Sequence, residues 1–129
     1  MKKVFALISV MALIPVLLPA HPPTDVIITY NLAEKTITVI VEHAVKDPAD
    51  HFVHEAIVKV NGKKAVTQYT IMQDSVEGQA FTYILPGLKA GDTISVTGDC
   101  SKFGELEKSV VIKAEEPAKK PGSKFQKGK

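Results

Sequence analysis

The stretch Val58-Lys59-Val60-Asn61-Gly62-Lys63-Lys64-Ala65-Val66 decides the fold class. Asn-Gly between two apolar runs is the strongest short-range signal for a two-residue hairpin, because both central residues of a type I′ turn need positive φ. The flanking runs read as paired strands, Phe52–Val60 and Lys63–Ile71. Upstream, Asp25–Tyr30 and Thr36–Glu42 are rich in β-branched residues and meet at a turn over Asn31–Lys35, with Ile37, Val39 and Val41 on one face. Downstream, Gln79–Leu85, Thr93–Gly98 and Glu107–Ala114 follow the polar loop Met72–Gly78, the Pro86-Gly87 stop and the tight Leu88–Asp92 connection. No long 3.6-residue period interrupts them. Seven short strands with regularly spaced turns predict an all-β, immunoglobulin-like β-sandwich. Its inner faces are expected to include Ile37, Val39, Val41, Val58, Val60, Phe81, Ile94, Val96, Val110 and Ile112.

The rest of the chain divides around that sandwich. Met1-Lys2-Lys3, an apolar run over Val4–Leu18 and Pro19-Ala20 have the layout of a secretory signal peptide, residues 1–20. The run of about 15 residues is short for a bilayer span, so no membrane span is expected after cleavage, and the location expected is periplasmic or secreted. The domain then covers 21–114 and opens on His21. Residues 115–129 are rich in lysine and poor in apolar side chains, and are expected to be disordered. Residues 21–112 hold 8 lysines against 12 acidic residues. An acidic body argues against nucleic acid as a partner. Cys100 is the single cysteine, and an oxidising compartment favours pairs. A buried thiol, a metal ligand, a redox thiol and an intermolecular link are the readings open to it.

Strand order alone gathers the chemistry. If successive strands alternate in direction, odd strands begin at one pole and even strands end there. His21 precedes the first strand, His43 ends the second, His51 opens the third and Cys100 follows the sixth, so all four fall at one pole. Neutral imidazole and thiolate are good ligands for iron, copper and zinc. His54 shares a strand face with Ala56, Val58 and Val60 and reads as a core-edge residue rather than a ligand. Glu42, Asp47, Asp50 and Glu55 read as a solvated acidic loop, or as partners for the second nitrogen of ligand imidazoles. No serine–histidine–acid spacing and no glycine-rich phosphate loop stands out.

The order His21, His43 before Asp47-Pro48, His51-Phe52-Val53 and Cys100-Ser101-Lys102-Phe103-Gly104 resembles the iron-binding domain of the desulfoferrodoxin and superoxide reductase family. The resemblance implies an immunoglobulin-like sandwich around a ferrous ion with four equatorial histidines and an axial cysteine thiolate. Its open position meets superoxide, which is reduced to peroxide with electrons from a donor or protein partner that the sequence does not identify. On this reading His21, His43 and His51 take the places of the first three histidines and Cys100 that of the axial cysteine. The family's fourth histidine falls on Phe103, which has no donor atom.

Two further resemblances cover parts of the chain. Asp50 through Lys63, followed by Leu88-Lys89-Ala90-Gly91-Asp92, is similar to the SoxZ component of the sulfur-oxidation carrier, which implies a metal-free interaction module. An N-terminal His21, with His43 or His51, is similar to the copper chelate of periplasmic copper-binding sandwiches.

Overall fold

The computed structural model describes residues 20–114. The expected leader, save Ala20, and the tail over 115–129 lie outside the described residues. Seven strands follow one another: β1 (Asp25–Asn31), β2 (Thr36–Glu42), β3 (Val53–Val60), β4 (Lys63–Tyr69), β5 (Gly78–Ile84), β6 (Thr93–Cys100) and β7 (Glu105–Val111). They form a three-stranded sheet ordered β1-β2-β5 and a four-stranded sheet ordered β4-β3-β6-β7. Every neighbouring pair is antiparallel. The two sheets face each other as an immunoglobulin-like β-sandwich, and the chain crosses between them at β2–β3, β4–β5 and β5–β6.

Alternating side chains fill the space between the sheets. Ile37, Val39 and Val41 of β2 face Ala56 and Val58 of β3 and Ile94 and Val96 of β6, all buried. Val26, Ile28, Val53, Leu85 and Leu88 complete the core beyond the residues expected from the sequence, whereas Val60 and Val110 are only partly buried at its margin. The β3–β4 turn is as expected: Asn61 has φ 50° and Gly62 φ 79°, and Val60 pairs with Lys63. The Asn61 side chain adds a tie across the lower pole, donating to Asp92 Oδ1 at 2.9 Å and accepting from the Thr93 amide at 2.9 Å.

Two expectations need correction. The strand face drawn for β3 put His54 beside Ala56 and Val58. A bulge intervenes, because Val53 pairs with Cys100 but Glu55 pairs with Asp99. The extra residue lets Val53 and Ala56 both face the core. His54 is thereby turned off the core face, half-buried with its Nδ1 covered and its Nε2 3.7 Å from the Asp99 carboxylate, and it stays outside the His43, His51 and Cys100 cluster, as expected. The gap left between the expected strands Thr93–Gly98 and Glu107–Ala114 is also shorter. Cys100 is the last residue of β6, and β7 begins at Glu105, because the Cys100 amide closes on the Gly104 carbonyl at 2.9 Å. Gly104 supports that tight link with φ 84°.

The sheets pack tightly near the upper pole at Gly98. A Cβ built there would lie 2.8 Å from Val41 Cγ1, so only glycine lets β6 pack this tightly against β2. Gly98→Ala is therefore expected to destabilise the fold by about 1–3 kcal/mol through overpacking. Gly87→Ala is the control, since a Cβ there meets nothing within 4 Å. Denaturant midpoints for the two variants check this, and equal midpoints would contradict the close approach.

Candidate metal centre

The inner faces of the sandwich run on into the upper pole. His43 lies two residues beyond Val41, Cys100 two beyond Gly98, and His51 two before Val53. Period-2 alternation directs Cys100 toward the space above the core, and His43 and His51, just beyond the ends of β2 and β3, meet it there. There the His43, His51 and Cys100 ligand atoms lie within 4.8 Å of one another, forming a cluster able to hold a metal ion. His43 is fully buried and Cys100 is 4% exposed.

The loops at this pole are built to hold that arrangement. Asp47 opens a turn through Pro48, its carbonyl accepting from the amides of Asp50 at 3.2 Å and His51 at 3.0 Å. Its carboxylate accepts from the Ala49 amide at 2.9 Å. The β4–β5 loop zips onto the same segment through His43 N–H to Glu77 (2.9 Å), Val45 N–H to Val76 (2.8 Å) and Gln73 N–H to Pro48 (3.0 Å). His51 and Cys100 are drawn together by three successive ties between their neighbours. Ser101 N–H donates to the Phe52 carbonyl at 2.8 Å, Phe52 N–H donates to Ser101 Oγ at 3.1 Å, and Lys102 pairs with Asp50 at 2.8 Å. Asp47 and Asp50 thus serve the turn and Lys102, as a structural acidic loop.

His51 Nε2 sits 3.0 Å from Cys100 Sγ. The amides of Lys102 and Phe103 also point at the sulfur, at 3.3 and 3.4 Å. Such donors complement negative charge, which suits a thiolate. His43 Nδ1 meets Gln73 Oε1 at 2.9 Å, and its Nε2 lies 3.1 Å from the His21 carbonyl. His21 reaches the same place. Its ring centroid is 4.9 Å from that of His43 and 5.3 Å from that of His51. Its two nitrogens lie against the carbonyls of Pro22 (2.9 Å) and Ala44 (3.0 Å), outside the three-residue cluster. Phe103, at the place of the resembled family's fourth histidine, is 65% exposed.

The four residues singled out from strand order therefore converge, with three placed to share one ion and His21 alongside. Sequence reading missed Gln73, which is buried although it lies in a loop read only as polar. A lone glutamine carries no spacing signal. The chain matches no known protein family, no curated protein and no solved structure.

Burial first, then His43, His21 and Lys102, hold the His51 ring below its ordinary value of 6.5, against a smaller opposing pull from Asp50. A neutral ring is the form that binds metal. Just below pH 6.5 the unfolded chain binds more protons at His51 than the folded one does, so stability falls as the solution is acidified through that window. The thermal midpoint of the metal-free protein is expected to drop below about pH 6.5, with the drop shallower in His51→Gln. Parallel curves for the two proteins would contradict the suppressed ring.

Proposed function

We propose that this chain is an exported, desulfoferrodoxin-like metalloprotein in which His43, His51 and Cys100 hold one iron ion, with the His21 ring beside them. The observation that carries the reading is the convergence of two imidazoles and one thiol within 4.8 Å at the end of a rigid sandwich. His51 Nε2 and Cys100 Sγ stand 3.0 Å apart and His43 offers its nitrogen within 4.8 Å of both, so the three could share one ion.

Bound iron would supply a one-electron couple, matching the one-electron reduction of superoxide to peroxide, and an external electron donor would complete the cycle. The protein's own residues do the rest. The Lys102 and Phe103 amides would offset charge on a metal-bound Cys100 sulfur, burial and neighbouring cations shift His51 toward its neutral, ligating form, and burial of His43 and Cys100 keeps bulk water from that side. With Phe103 in place of a histidine, the donor set is smaller than in the resembled family. The His₂Cys set itself favours a second reading, copper, because it is the donor combination of trigonal copper–thiolate sites. Either metal gives the cluster a use that a SoxZ-like interaction module would not require.

Protein loaded anaerobically with ferrous iron and then oxidised is expected to bind one equivalent and to show visible thiolate-to-iron absorption. Cys100→Ser should remove the band. The same band in both proteins, or no retained iron in wild type, would contradict iron ligation; a strong visible band with cupric ion alone would select copper.

A further inference from the structure

Gln73 sits beneath His43 with every polar atom of its amide engaged. Its Nε2 donates to the His43 carbonyl at 2.7 Å and to the Ser75 carbonyl at 2.9 Å. Its Oε1 accepts from the Val53 amide at 3.2 Å and faces His43 Nδ1 at 2.9 Å. Flipping the amide would set its NH₂ against the Val53 N–H and its oxygen against two carbonyls, so three backbone groups fix its orientation. The group facing His43 Nδ1 is therefore an acceptor that cannot become a donor.

We infer that Gln73 is the positioning residue of the metal centre, fixing His43 as the Nδ1–H tautomer and so presenting Nε2 as the ligand atom. This rests on the metal-binding reading above. The competing tautomer would donate from Nε2 to the His21 carbonyl and leave the Nδ1 lone pair against Oε1. That repulsion would be buried, where unmatched polar groups cost most, and the doubly anchored Gln73 amide has no room to turn away. The opposite mismatch, an Nε2 lone pair against the His21 carbonyl at 3.1 Å, is only part-buried, so it costs less than an unmatched pair at the fully buried Gln73 amide. A metal at Nε2 replaces that contact. Most ligand histidines are steadied by a carboxylate, a backbone carbonyl or water. Gln73 does it with a neutral side-chain carbonyl, which orients the ring without adding charge to the centre. The same amide grips the backbone of His43 and of Val53, two residues after His51, so it couples the ring's tautomer to the spacing of two ligands.

The test uses the metal-free full domain and zinc as the probe. Long-range nitrogen–proton NMR at about pH 8, well above the ordinary histidine range, assigned with His43→Gln, is expected to show the His43 proton on Nδ1. Gln73→Met, which keeps length but not the acceptor, should lose that preference and bind zinc 10–100-fold more weakly. Should Gln73→Met fail to fold, the wild-type spectrum carries the test by itself, since the lock requires the His43 proton on Nδ1. A wild-type proton on Nε2, protons on both nitrogens, or zinc affinity in Gln73→Met within twofold of wild type would overturn the assignment. A wild type with Nδ1–H that takes up no zinc would sink the metal reading while upholding the tautomer lock.

Discussion

Val41 lies against the bare backbone of Gly98, and the placement of the whole polar cluster follows from that contact. In a β-sandwich the next residue on the same face is two positions along. One step above Val41 is His43, and one step above Gly98 is Cys100. Had β6 carried a side chain at residue 98, the sheets would stand further apart at this pole and the two ligands would separate with them. His51 reaches the same layer from the loop ahead of β3, two residues before the buried Val53. The candidate centre is thus the last layer of the core, built from polar residues instead of aliphatic ones, and it inherits the core's rigidity.

A buried polar layer is stable only when its members are paired, since each orphaned group costs about 1–3 kcal/mol. Here the pairing is dense. Gln73 satisfies His43 and the backbone around it, while the link from Cys100 to Gly104 curls two amides toward the sulfur. Gly104 has a second part, because a Cβ there would stand 2.8 Å from Pro22 Cβ. The segment carrying His21 therefore rests directly on the cysteine turn. Positions that look like independent loops in sequence behave as one clamp around the cluster.

Much of this was legible beforehand. The Asn61-Gly62 turn and the bounds of β2 match expectation, because alternation and turn chemistry act locally. The gathering of His21, His43, His51 and Cys100 followed from strand parity, which requires only that no strand be overlooked. The parts that escaped depend on tertiary contact. A single bulge reverses the face of His54 without any glycine or proline to announce it. Gln73 becomes important only because a loop far along the chain folds back under His43, and nothing about an isolated glutamine signals such a return. Phe103, matched by position to a ligand of the resembled family, contributes its amide to the sulfur while its ring is left largely in solvent.

Metal-edge X-ray absorption of the protein, purified after growth without added metal and then reconstituted with iron, tests the central claim most directly. One sulfur and at least two imidazole nitrogens in the first coordination shell are expected, with the sulfur lost in Cys100→Ser. A shell of light atoms alone in the wild type, or a sulfur contribution that persists in the variant, would contradict a centre built from His43, His51 and Cys100.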